Sequence, residues 1–385
     1  MKKLRQYTLL GLCLLGLSAC SSGLKTVSID HAGSIESGLP DFNDGLFETK
    51  PIISEADITS LTPKQEAHFL DFFNQAKFSK SLPNERVASY MGIILDQFTF
   101  SDETLTAKQA MESKSGNCLS LTILTGAFAK LADVKVGYQL LDKNPVFTIE
   151  DDLLVTSDHL RAVLISESAT DQPFPTKSFI RIDYFNTDGY SYVDNINPDY
   201  QLSLFYSNVA VEHLRSGDIS SAFAYAKHAL SIYPLNPSAL NTIGISHRYR
   251  EDLVKAEEIY LYGAKNYDKS PTFLRNYLSL LINQRGDIDW DTLERNALSL
   301  DQSNPWTWVQ AGNVAYSQAE FARASDFYNK ALNLEPSLHQ LYFLASRANH
   351  AAGNMSEAYS LMSNAMSIAK DESSGKRYKA KLRDF

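Results

Sequence analysis

Cysteine is scarce in this chain: there are three in 385 residues, at Cys13, Cys20 and Cys118. So few, spaced so widely, exclude a small fold stapled by disulfides. The 8 histidines are scattered and show none of the Cys/His spacings of a zinc site, so no metal is expected. No glycine pattern of a phosphate loop or a dinucleotide fingerprint is present either, and no cofactor is expected. Positive charge is in deficit, with 36 Lys and Arg against 45 Asp and Glu and a formal net charge of -9. Without a basic stripe, nucleic acid is excluded as a partner. Long apolar runs are missing as well. The run from Tyr7 to Leu17 is too short to cross a bilayer as a permanent helix.

That short run does have the layout of a signal peptide. Lys2, Lys3 and Arg5 precede it, and Leu17-Ser18-Ala19-Cys20 ends it. The ending resembles the lipobox of bacterial lipoproteins. The resemblance implies that residues 1–19 are removed, that Cys20 is acylated and that the protein is a membrane-anchored lipoprotein. Acyl chains contribute about 0.8 kcal/mol per buried methylene, enough for several of them to hold a protein at a membrane without a spanning segment. Ser21 stands where sorting analogy would put an aspartate for inner-membrane retention, which implies the outer membrane, facing the periplasm. Loss of the three n-region cations takes the formal net charge from -9 to -12. Cys118 is then the one thiol of the mature chain.

Residues 20–55 are rich in Ser, Gly, Asp and Pro and read as a flexible tether. Globular composition begins beyond them. Thr62 can cap a helix with Pro63 at its first position and Phe69, Phe72, Phe73 and Ala76 along it, and a second helix covers roughly Asn84 to Asp96. Strand-like segments follow at Val134 to Leu141, Leu160 to Ile165 and Phe179 to Tyr184. Helices followed by separate strands predict an α+β domain over residues 56–200.

From Leu202 onward the chain repeats. Frames opening at Ser203, Pro237, Pro271, Pro305 and His339 are 34 residues apart, which is the tetratricopeptide period. Small or apolar residues recur in register: Tyr206, Val209, Ala210, Ala222, Ala226 and Ala229 in the first frame, Leu240, Ile243, Gly244, Ala256, Tyr260 and Gly263 in the second. Trp308, Ala311, Gly312, Ala324, Tyr328 and Ala331 do the same in the fourth, and Tyr342, Ala345, Ser346, Ala358, Met362 and Ala365 in the fifth. The third matches only through its first helix. Five repeats over residues 203–372 predict an all-α solenoid whose groove takes protein or peptide partners. The basic stretch 373–385 predicts a capping helix. His213 and His247 hold equivalent packing positions and are structural rather than ligands.

Cys118 follows the turn pair Gly116-Asn117 and opens an apolar run to about Leu131. Asn117 is a good helix cap, so the thiol falls in a first turn, where unpaired amides and the helix dipole stabilise a thiolate and the oxyanion it would form on a carbonyl. Such a nucleophile needs an imidazole. Only His68 and His159 lie between residues 56 and 200, and His159 starts a strand. If the next strand pairs with it, Asp183 approaches that imidazole.

A Gly-Asn-Cys turn opening a buried helix, followed by a histidine starting one strand and an aspartate on the next, resembles the transglutaminase-like superfamily of papain-like cysteine enzymes. The resemblance spans roughly residues 60 to 200. A domain of that type directly followed by tetratricopeptide repeats is also similar to a group of bacterial proteins known by their domains. It implies a catalytic set of Cys118 as nucleophile, His159 as general base and acid, and Asp183 as orienting acid, with Asp194 the alternative for the last role. The implied activity is cysteine protease or transglutaminase-like amide hydrolysis or acyl transfer. The competing expectation is a non-catalytic assembly lipoprotein that binds partners through its repeats.

Overall fold

The computed structural model describes residues 38–142, 147–150, 153–156, 159–167, 177–183, 191–267, 271–285, 290–291, 294, 302–369 and 378–379. The signal, Cys20 and the start of the tether lie outside the described residues, as does the expected capping helix except at Tyr378 and Lys379. None of the described helices is long and apolar enough to cross a membrane.

The first globular part sets a cluster of helices against an antiparallel sheet. After the short α1 (Glu55–Thr59) come α2 (Pro63–Phe73), α3 (Pro83–Leu95), α4 (Ala107–Ser113) and α5 (Cys118–Leu131). Thr62 caps α2 in a reciprocal box with Gln65, and Pro63 takes the first turn, where its missing N–H costs nothing. Rings of Phe69, Tyr90 and Phe128, with centroids 4.8–5.1 Å apart, join α2, α3 and α5. His68 sits at the edge of this cluster, its Nδ1 hydrogen-bonded to the Tyr90 hydroxyl at 2.6 Å.

The strands are β1 (Thr99–Phe100), β2 (Ser115–Gly116), β3 (Lys135–Asp142), β4 (Phe147–Glu150), β5 (Leu153–Thr156), β6 (His159–Glu167), β7 (Lys177–Ile182) and β8 (Ser191–Ile196). Four of them form one sheet in the order β7-β6-β3-β8, antiparallel throughout, while β4 pairs only with β5. The third predicted strand ends two residues early, so Asp183 follows β7 instead of lying within it. Leu160, Ala162 and Leu164 of β6 join the core that α5 shares.

The second part is a helical-repeat solenoid. Its helices pair as α6 (Pro198–Arg215) with α7 (Ile219–Ile232), and α8 (Pro237–Tyr249) with α9 (Leu253–Asn266). Next stands α10 (Pro271–Arg285). Two further pairs follow it: α11 (Pro305–Ser317) with α12 (Phe321–Leu334), and α13 (His339–Ala351) with α14 (Met355–Ile368). The second helix of the third repeat falls mostly outside the described residues. Asn236 and Asn304 each cap the helix that a proline opens, their side chains accepting from Ala239 N and Trp306 N. Gly244 and Gly312 stand where a Cβ would meet the ring of Tyr260 or Tyr328 at 2.6 Å, so these pairs close to a distance no larger residue permits.

The turn between paired helices repeats more strictly than any side chain. Asp218 N, Asp252 N, Glu320 N and Asn354 N each reach back to a carbonyl five residues earlier, at 2.8–3.0 Å. The residue before each takes a positive φ: Gly217 at 82°, Glu251 at 62°, Ala319 at 62° and Gly353 at 86°. This is a Schellman-type helix end, which favours glycine because an L side chain there crowds the backbone.

The structure corrects the expected extent of the tether. From Gly38 on, the chain does not dangle: it runs across the first two repeats to α1. Phe47 stacks on Phe223 with centroids 3.8 Å apart, and Phe42 meets the same ring edge-on at 6.4 Å. Glu48 N donates to Ser220 Oγ at 3.2 Å, and Tyr206 donates its hydroxyl to Ile53 O at 2.8 Å. Polar composition suggested a tether, but two phenylalanines and two isoleucines supply enough apolar surface to seat it.

Below Phe47 lies His247, fully buried, with Nδ1 3.2 Å from Asp252 Oδ2. Burial holds its pKa below the ordinary 6.5, against the opposing pull of Asp252 and the distant Asp44; Lys255 adds to the lowering. The folded chain therefore keeps this imidazole neutral where the unfolded chain would protonate it.

Two outcomes are expected. Ala319→Gly, at an exposed turn, relieves the left-handed strain and raises stability by about 0.5–1 kcal/mol net of glycine's larger unfolded-state entropy, as read from urea denaturation midpoints. Because the unfolded state binds the additional proton, stability falls as pH drops through about 6.5, and His247→Gln flattens that slope whatever it does to the absolute midpoint.

Candidate functional site

The loop before Cys118 is tightly specified. Gly116 has a φ of 147°, and a Cβ there would lie 2.7 Å from that of Ser120, so only glycine fits. Asn117 then caps α5: its Oδ1 accepts from Ser120 N at 2.9 Å and from Ser120 Oγ at 3.0 Å. The other end of that amide donates to Thr104 Oγ1 at 2.9 Å, and Leu105 N donates to Ser120 Oγ at 2.8 Å. The solenoid closes the chain of bonds, because Thr104 N donates to Glu212 Oε1 of α6 at 2.8 Å.

Cys118 is the first residue of α5 and is partly exposed, whereas Leu119 to Thr125 behind it are buried. Thr122 and Thr125 bond back to Leu119 O and Leu121 O at 2.8 Å, and Gln201 of α6 donates to Thr122 Oγ1 at 3.1 Å. A thiol so placed lies at the N-terminal turn of a helix whose following residues are packed into the core.

The sheet brings the other expected residues into relation at the level of the backbone. His159 opens β6, paired with Leu141 of β3. Ile182, the last residue of β7, pairs with Ala162. Asp183 is the next residue, just past the last paired position of β7. Asp194 pairs with Leu140 on β8, on the far side of β3 from β6. Strand order thus sets β7, which Asp183 follows, beside β6, and puts Asp194 on β8, beyond β3. The side chains of His159 and Asp194 lie outside the described residues.

Gln109 belongs to the start of α4. Its Oε1 accepts from Thr106 N at 3.0 Å and Thr106 Oγ1 at 2.8 Å, completing the cap of α4. Among the described residues, no group of three or more His, Cys, Asp or Glu could hold a metal ion. Sequence reasoning missed Glu212, because nothing in a repeat frame marks a residue that faces out of the solenoid toward another domain.

A different polar array lies on the first helices of the repeats. Asn276 Nδ2 donates to Asn241 Oδ1 at 2.7 Å, and Arg248 Nη1 to Ser279 Oγ at 3.2 Å, each bridging α8 and α10. Further along, the Tyr328 hydroxyl bonds Asn313 Oδ1 at 2.8 Å and the Arg347 guanidinium lies 4.9 Å from the Tyr316 ring. Amides and guanidiniums therefore run along one row of helices from the second repeat to the fifth.

No family model matches the chain, and no curated protein matches it. Solved structures do. YrrB, described as a TPR protein with an unusual peptide-binding site, is 15% identical over 46% of this chain and 92% of its own, with a TM-score of 0.29. PilF of Pseudomonas aeruginosa is 15% identical over 49% of this chain and 93% of its own, with a TM-score of 0.31. A thermophilic TPR protein of Thermus thermophilus is 18% identical over 48% of this chain and 100% of its own, also at 0.31. The repeat assignment itself rests on the 34-residue register of helix starts and turns.

Proposed function

We propose that this chain is a membrane-tethered assembly protein that binds protein partners along its repeat solenoid. The observation that carries the reading is the accessible row of Asn241 and Arg248 on α8, Asn313 on α11 and Arg347 on α13. Carboxamides such as Asn241 and Asn313 can pair with the backbone of an extended peptide, and Arg248 and Arg347 with carboxylates along it. In this proposal acylated Cys20 holds the protein at the outer membrane, in the periplasm.

A photo-crosslinking residue at Asn241 or Asn313, in membranes from cells making the full chain, is expected to yield discrete protein adducts. The same residue at Glu258, exposed on α9, is expected to give none, and Cys20→Ser is expected to move the chain to the soluble fraction. Equal adducts at all three positions would refute the binding reading. A Cys20→Ser chain that stays with membranes would refute the lipid anchor.

A second reading is favoured by the partial exposure of Cys118 at a capped helix start. In it the domain is a transglutaminase-like cysteine hydrolase or acyltransferase. Cys118 attacks an amide carbonyl, His159 takes the thiol proton and returns it to the leaving amine, and Asp183 orients the imidazole. The resulting thioester is released by water, giving hydrolysis, or by an amine, giving transfer. At neutral pH a thiol-directed electrophile is expected to label Cys118 at least about tenfold faster than free cysteine, and His159→Ala to remove that advantage. Labelling no faster than free cysteine leaves the assembly reading alone.

A further inference from the structure

The strap formed by residues 38–54 is held as a bound peptide is held. It contains one short turn, Asp44–Leu46, and it joins no sheet. None of its residues is fully buried. Its backbone meets the solenoid only through side chains: Glu48 N to Ser220, Ile53 N to Tyr225 at 3.3 Å, and Ile53 O from Tyr206.

What lies beneath is more completely built than the strap itself. Phe223 is 4% exposed and forms the floor on which Phe47 stacks, with Phe42 at its edge. His247 is fully buried and stands edge-on to Phe47, centroids 5.2 Å apart; its Nε2 is buried without a hydrogen-bond partner. Cations rim the floor. Lys227 pairs with Asp44, and the Arg250 guanidinium lies 6.0 Å from the Phe47 ring. Asn43 adds a 3.4 Å bond to Asp252. This surface belongs to α7, the last turn of α8 and the turn that follows it.

We propose that Phe223, Lys227, His247 and Arg250 form a second recognition surface, and that residues 42–53 are its built-in occupant. The partner that fits is an extended peptide of the same chemistry: two aromatic side chains with a carboxylate between them, spaced as Phe42, Asp44 and Phe47 are. A segment tethered in cis competes at an effective concentration of about millimolar, so it excludes a micromolar ligand until it is weakened or displaced. The inference stands apart from both readings above, since it uses neither the amide row nor Cys118.

The probe is a fluorescent peptide with the sequence of residues 40–54, titrated into the full chain. Wild type is expected to bind it weakly. Phe47→Ala is expected to bind at least about tenfold more tightly, because its own strap no longer fills the floor. Adding Phe223→Ala, or using a peptide that carries Phe47→Ala, is expected to abolish the gain. Asp44→Lys, a change at an exposed residue, should act in the same direction as Phe47→Ala and guards against misfolding of that variant. Equal affinity of the peptide for wild type and both strap variants would overturn the proposal. So would micromolar self-association of wild type that Phe47→Ala removes, because the occupant would then be a second copy of this chain.

Discussion

A pair of repeat helices cannot bury its own apolar sides, and that constraint shapes the whole molecule. Each pair lays its second helix against the first helix of the next, so a stack needs an ending at both termini. At the far end Tyr378 performs part of that task, stacked on Phe343 and hydrogen-bonded to His339 at 2.7 Å. At the near end the helix-and-sheet domain is the cover. Gln201 and Glu212 of α6 bond into it, and the hydrophobic core continues from Phe128 to Phe205 without a break. The strap covers a further side of the first pair. The domain and the solenoid are therefore one packing problem, although they fold by different periodicities.

The same constraint reaches the thiol. The cap beneath Cys118 depends on Asn117, which depends on Thr104, which is held by a carboxylate of the first repeat. Hydrogen bonds to a charged acceptor are the stronger kind, and this one is partly shielded from water. The loop before Cys118 is thus held by the first helix of the same solenoid whose later helices carry the amide row. Whether the domain performs chemistry or only binds, its most specified loop is built against the solenoid.

Much of this was legible beforehand where local rules decide. Helix α2 starts at Thr62-Pro63, where cap chemistry said it would, and four repeat helices open at Pro237, Pro271, Pro305 and His339, on their frames. The α5 start at Cys118 followed from Gly116 and Asn117 in the same way. The strap was not legible. Its composition is that of a linker, and only contact with Phe223 and His247, about two hundred residues later, gives Phe42 and Phe47 a partner. Strand ends slipped by a residue or two because β7 stops where its pairing with β6 stops.

The sequence alone therefore determined what depends on spacing: the repeat period, the helix starts, the residue types at the tight crossings and the turn before the thiol. These are set by steric and capping rules that act within a few residues. Tertiary structure decided what depends on distant partners. It showed that residues 38–54 are seated rather than slack and that Glu212 reaches out of the repeats to hold the thiol loop. It also set Asp194 on β8, across β3 from the strand that His159 opens. Such pairings are fixed by sheet order and by which apolar surfaces remain uncovered once the helices have stacked, and no local rule contains that information.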